Sequence, residues 1–155
     1  MKWLVNKVLK QYLAVRMKRI EHYMQHPEEA QERWFRSLLD TAQHTEFGNK
    51  YGFSDIKTPE DFANRIPVHD YDMLKGQINR MMHGEQDVLW PGEINWYSKS
   101  SGTTSDKSKF IPVSNESLED GHYKASKDVL CMYYQYRPYS ALLTGKGLVI
   151  GGSHS

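Results

Sequence analysis

Apolar residues at the start of the chain return roughly every three or four positions: Leu4, Val8, Tyr12, Val15, then Arg19 or Ile20, and Tyr23, with Arg16 as the one break. Lys7, Lys10, Lys18 and Arg19 fall elsewhere. This period of about 3.6 predicts an amphipathic helix over residues 3–25. Its polar face is basic, but Glu21 and neighbouring histidines dilute the charge. The helix is therefore read as packing on the rest of the protein rather than lying on a membrane.

At His26-Pro27-Glu28-Glu29 the pattern restarts. Proline suits a first helical turn, and acids there favour the positive end of the helix dipole. Ala30, Trp34, Leu38 and Ala42, with Phe35 and Leu39 alongside, predict the buried face of a second helix. Gly48 and Gly52 interrupt the pattern, so residues 45–56 are predicted to be a loop. Thr58 as N-cap and Pro59 in the first turn start a further helix, and another is predicted over residues 70–82, ended by Gly84.

The character changes after Leu89-Trp90-Pro91-Gly92. Residues 94–98 and then 110–113 have strand composition, and a stretch rich in Gly, Ser and Thr separates them: strand, loop, strand. Ser114 then caps a long helix whose predicted face is Leu118, His122, Ala125, Val129, Met132 and Tyr136. Leu142-Leu143 and Leu148-Val149-Ile150, closed by glycines, predict a buried strand or hairpin.

Composition narrows the function classes. With 39% apolar and 25% charged residues in 155, the chain has the make-up of a folded domain rather than a disordered one. Lys plus Arg (20) balances Asp plus Glu (19), which gives no general attraction to nucleic acid. The single cysteine, Cys131, excludes an intramolecular disulfide and a cysteine-built zinc site, and its apolar neighbours predict a buried, inert thiol. No apolar run reaches the roughly 18 residues that a membrane span needs, and the N-terminus lacks a signal-peptide core, so a cytoplasmic location is expected.

Candidate chemistry lies between the two strands, in Ser100-Ser101-Gly102-Thr103-Thr104-Ser105-Asp106-Lys107-Ser108-Lys109. Hydroxyls can donate hydrogen bonds, Gly102 lets backbone approach a ligand closely, and two lysines add positive charge. These groups suit polyphosphate oxygens. The stretch departs from a Walker A loop, which requires a second glycine and a helix directly after the lysine. On composition alone, an exposed polar hairpin loop without a ligand fits equally well.

The residues are more specific than their composition. Ser-Ser-Gly-Thr-Thr with a lysine a few positions later resembles the first nucleotide-binding motif of the adenylate-forming ligases. The spacing from Ser101 to Lys109 resembles the auxin-responsive promoter family of acyl-acid amido synthetases more than the acyl-CoA synthetases, whose loop is usually a residue shorter. Flanking stretches agree and look like bacterial members: residues 44–53, 65–68, 80–85, 88–92, 107–113 and 144–147.

The resemblance implies activation of a carboxylic acid with ATP and Mg²⁺, followed by transfer to an amine such as an amino acid. Ser100, Ser101, Gly102, Thr103 and Thr104 would hold the phosphates, with Lys109 as the charged, catalytic member; no metal-ligating residue is assigned. Lys107 is read as a solvated loop charge. The helix after Ser114 would help line the acid pocket, with His122 and Tyr123 as polar candidates outside the catalytic set.

The implied fold class is α/β: a helical N-terminal segment, residues 1–92, leading into the start of the large adenylate-forming α/β domain, residues 93–155. The motifs for adenine and ribose and the C-terminal domain are not in these 155 residues. A truncated N-terminal fragment, inactive alone and prone to self-association through the apolar run at 148–150, is the expectation. The rival readings are a naturally short helical interaction module and a plain phosphate-binding module without catalysis.

Overall fold

A computed structural model describes residues 2–100 and 108–140, with Leu142 and Leu148. Among the described residues the order is α1 (Lys2–Gln25), α2 (Pro27–Ala42), α3 (Glu46–Tyr51), α4 (Pro59–Arg65), α5 (Tyr71–Met82), β1 (Trp96–Lys99), β2 (Phe110–Val113) and α6 (Lys124–Tyr136). A 3₁₀ turn, Phe53–Asp55, follows α3, and a π-helical stretch, Ser117–Tyr123, leads into α6. The described residues are mostly helical, with one small antiparallel sheet of two strands among them. No described helix is long and apolar enough to cross a membrane. The strand or hairpin expected at 142–150 lies outside the described residues, apart from Leu142 and Leu148, which are both exposed.

Two compact units divide the chain: Met1–Gln25 with Ala125–Ser155, and His26–Lys124. The core of the first joins Leu13, Met17 and Ile20 of α1 to Cys131 and Tyr134 of α6. Positions 13, 16, 17 and 20 share one helical face, so Arg16 belongs to the buried stripe rather than interrupting it. Its guanidinium donates two parallel hydrogen bonds to Asp128, at 2.6 and 2.7 Å, the strong fork geometry for this pair of side chains. The stripes expected from spacing are largely exposed: Val8, Tyr12 and Val15 on α1, where Ile20 is the expected member that is buried, and Val129, Met132 and Tyr136 on α6. Apolar residues surround both helices, so spacing alone fits more than one face. Cys131 is buried as expected, and burial raises its thiol pKa above the ordinary value.

In the second unit, helix starts follow local chemistry. Pro27 opens α2, with Glu28 and Glu29 in its first turn. Thr58 and Asp61 form a reciprocal capping box at α4, and Asp70 caps α5 by accepting from Met73 N at 2.9 Å. On α2 the buried residues are Leu39 and Ala42, while Trp34 and Leu38 are exposed.

Residues 45–56 are not the predicted loop. Thr45, 1% exposed, donates to Ala42 O at 2.7 Å and accepts from Gly48 N at 2.9 Å, capping α3. Gly52, at φ 63°, ends it in the left-handed conformation. Gly48 is not a breaker but a point of close approach: a Cβ there would lie 2.1 Å from Ala42 O.

The start of α3 is tied to the segment after α5. Glu46 N donates to Asp87 O at 2.7 Å and Phe47 N to Val88 O at 3.0 Å. Arg80 grips both sides of this junction: it donates to the two Glu46 oxygens at 3.0 and 2.6 Å, to Glu85 Oε2 at 2.7 Å, and to Glu85 Oε1. Val88 and Ile94 then bury against Met81, with Leu89, Trp90 and Tyr97 packed around them. This cluster seats β1.

Two predictions follow from these contacts. Replacing a helix-interior glycine with alanine ordinarily gains about 1 kcal/mol, but Gly48→Ala is expected to lose about 1–3 kcal/mol because backbone must move to admit the methyl. Urea denaturation measures it, and a stabilised variant would show that the Ala42 carbonyl yields freely.

Glu46 and Glu85 lie below the ordinary carboxyl value of 4.5, chiefly because Arg80 donates to them. Their contribution is full above the unfolded pKa and is lost as pH falls through the lowered folded value. Both are solvent-screened, so the effect is modest. Arg80→Met is expected to flatten the acid limb of a stability–pH curve relative to the parent; parallel acid limbs in the two proteins would refute the coupling.

Candidate functional site

β1 and β2 form an antiparallel hairpin in the register Trp96–Val113, Tyr97–Pro112, Ser98–Ile111 and Lys99–Phe110. Beyond the last pair, Ser100 and Lys109 continue the ladder. Ser100 N donates to Lys109 O at 2.9 Å, and Lys109 N donates to Ser100 Oγ at 3.0 Å. The serine thus satisfies a backbone donor with a lone pair and keeps its own proton out of that bond. The loop that carries the hydroxyls is closed at its neck by its own end residues.

Lys109 is half-buried. Its ammonium lies 5.5 Å from the centroid of the Tyr71 ring, within cation–π range. The same tyrosine's hydroxyl accepts from Phe110 N at 3.1 Å. Tyr71 is the first residue of α5, directly after the Asp70 cap. One side chain from α5 therefore meets both the backbone and the cation at the loop's exit.

Of the expected site residues, Ser100 and Lys109 are brought together. Ser101, Gly102, Thr103 and Thr104, like Lys107, lie outside the described residues. Tyr71 carried no signal in the sequence: it is 39 positions from Phe110, and nothing in its neighbours marks a ligand.

Beside the helix that follows β2 is a cleft of about 470 Å³, walled by Trp34 and Trp90 and lined by Ser114, Glu116, Asp120 and Gly121. Trp90 Nε1 donates to Glu116 Oε2 at 3.1 Å. The Glu116 carboxyl is held below its ordinary range, first by a backbone N–H and then by Ser114. Asp120 pairs with Lys124 at 3.0 Å, and that ammonium lies 5.8 Å from the Trp34 ring centroid. His122 and Tyr123, the polar candidates on this helix, are exposed and do not line the cleft. A second cleft, about 550 Å³, is apolar, with Phe35, Phe47, Phe53 and Phe62 among its walls. Among the described residues, no three His, Cys, Asp or Glu side chains converge as a metal-holding group.

Residues 16–155 match the family model described as the GH3 family N-terminal domain. A jasmonoyl-L-amino acid synthetase of Nicotiana attenuata is 31% identical over 123 residues, covering 77% of this chain and 21% of that protein. An indole-3-acetic acid-amido synthetase of Arabidopsis thaliana is 27% identical over 104 residues, covering 66% of this chain and 19% of that protein. The chain spans about a fifth of the length of the curated relatives it matches.

The neck makes a direct prediction. Ser100→Ala removes the acceptor for Lys109 N, a loss of about 1 kcal/mol for a single hydrogen bond. Amide exchange at Lys109 is then expected to accelerate roughly fivefold, while the Ser100 amide, which bonds to a backbone carbonyl, stays protected. Unchanged exchange at Lys109 would show that the hydroxyl has no part in closing the loop.

Proposed function

The chain belongs to the GH3 family, through that family's N-terminal domain, and from that premise we propose that it is the phosphate-holding portion of an ATP-dependent acyl-acid amido synthetase. The named relatives are amido synthetases for jasmonate and indole-3-acetic acid. Carried to this chain, their names point to a carboxylic acid as acyl donor and an amino acid as acceptor. In this reaction the acid is activated as its adenylate with loss of pyrophosphate, and the amine then takes the acyl group with loss of AMP.

The observation that carries the reading is the closed neck. Two bonds between Ser100 and Lys109 hold together the ends of a hydroxyl-rich stretch, and the Lys109 ammonium lies 5.5 Å from the Tyr71 ring centroid. The residues fit a polyphosphate by donor type: hydroxyls from Ser100, Ser101, Thr103 and Thr104, backbone N–H from Ser101, Gly102, Thr103 and Thr104, and a cation from Lys109. Charge that builds on the leaving pyrophosphate is what a preorganised ammonium and N–H groups stabilise best. Mg²⁺ would be held largely by phosphate oxygens and water, as is usual for this ion. The large α/β adenylate-forming domain, of which residues 93–155 would be the beginning, supplies the remaining contacts under this reading.

Calorimetric titration of the chain with ATP and with pyrophosphate tests the loop. Weak binding by the parent, reduced about tenfold or more by Lys109→Ala, is the expected result. In a polypeptide of the family's full length bearing this sequence, the same substitution is expected to slow acid-dependent pyrophosphate exchange by as much as ~10²-fold, as when other electrostatic donors are lost. The 155-residue chain alone is expected to show no exchange, since positioning of adenine and ribose is missing. Unaltered binding and exchange in a folded Lys109→Ala protein would remove the role given to the loop.

A further inference from the structure

An ammonium at the end of four methylenes has a large set of directions open to it, and a phosphate gains from the charge only if one of them is favoured. At Lys109 the backbone is already fixed, because its N–H and C=O both bond to Ser100. The side chain is directed separately. Its ammonium lies 5.5 Å from the Tyr71 ring centroid, and the hydroxyl of that ring holds Phe110 N at 3.1 Å. Tyr71 itself has little freedom, because it opens α5 directly behind the Asp70 cap, whose carboxylate binds Met73 N at 2.9 Å.

We propose that Tyr71 is the positioning residue for Lys109: its hydroxyl pins the first residue of β2 while its ring holds the lysine ammonium at the mouth of the loop. The proposal rests on the phosphate reading of the loop given above. The two halves of the tyrosine separate cleanly. Tyr71→Phe keeps the ring and removes the oxygen, whereas Tyr71→Leu removes both.

Inorganic pyrophosphate, titrated calorimetrically into the whole chain, is the probe, with carbon–proton NMR of the Lys109 ε-methylene as a ligand-free measure of the contact. In the parent the ε-protons are expected upfield of an exposed lysine, shifted by the ring current. Tyr71→Phe should keep that shift and most of the affinity while the Phe110 amide exchanges faster. Tyr71→Leu should abolish the shift and weaken pyrophosphate binding by roughly two- to fivefold, the scale of an exposed cation–π contact. In a Lys109→Ala background, Tyr71→Leu should cost nothing further, a non-additivity that a merely structural tyrosine would not produce. A Tyr71→Leu loss that persists undiminished in that background, or ε-protons at the exposed-lysine position in the parent, overturns the role of Tyr71. A parent that binds no pyrophosphate overturns the phosphate reading itself, which is a separate result.

Discussion

A loop of mixed hydroxyls and glycine can present its donors to one ligand only if its two ends are held together, and here that task falls to four-residue strands. Two such strands in isolation are marginal in water, so the hairpin depends on what it rests against. Ile94 and Tyr97 seat its first strand on Met81 and Val88, and Tyr71 reaches its second. Among the described residues, the pairing of Ser100 with Lys109 is the last rung of this arrangement and the rung nearest the candidate chemistry.

Support for that rung can be followed back through the second unit. Met81 lies on α5, and Val88 lies on the segment that Arg80 fastens to α3 through Glu46 and Glu85. Each of these ion pairs is exposed and weak alone, yet together they tie the start of α3 to the end of α5 and the segment just after it, 34 residues on. The backbone bonds from Glu46 N and Phe47 N to Asp87 and Val88 complete the junction with no charge at all. Electrostatics orients these segments, and the apolar cluster with its backbone bonds fixes them.

How much of this was legible in the residues depends on how local each determinant is. Helix starts are written within four residues: Pro27 with two acids opens α2, and Thr58 and Asp70 cap α4 and α5. The hairpin is equally local. By contrast, Gly48 looked like an interruption because the reason for a glycine, the Ala42 carbonyl against its Cα, is a feature of the folded turn and not of the helix pattern. Arg16 looked like a flaw in an apolar stripe because its partner, Asp128, is 112 residues away. Among the expected site residues, the motif singled out Ser100 and Lys109, whereas Tyr71 could be joined to them only in three dimensions.

The division of labour at the hairpin has a consequence for how such loops diversify. Both neck bonds, and the contact of the cation with its aromatic rest, are made within a frame of Ser100, Lys109 and Tyr71. The frame therefore acts as a socket: the span between its two posts can be lengthened, shortened or rewritten while the lysine keeps its place on the second post. Reshaping the loop leaves the contacts of Ser100, Lys109 and Tyr71 on the scaffold, so altered loops can be tried there without refitting the helices beneath.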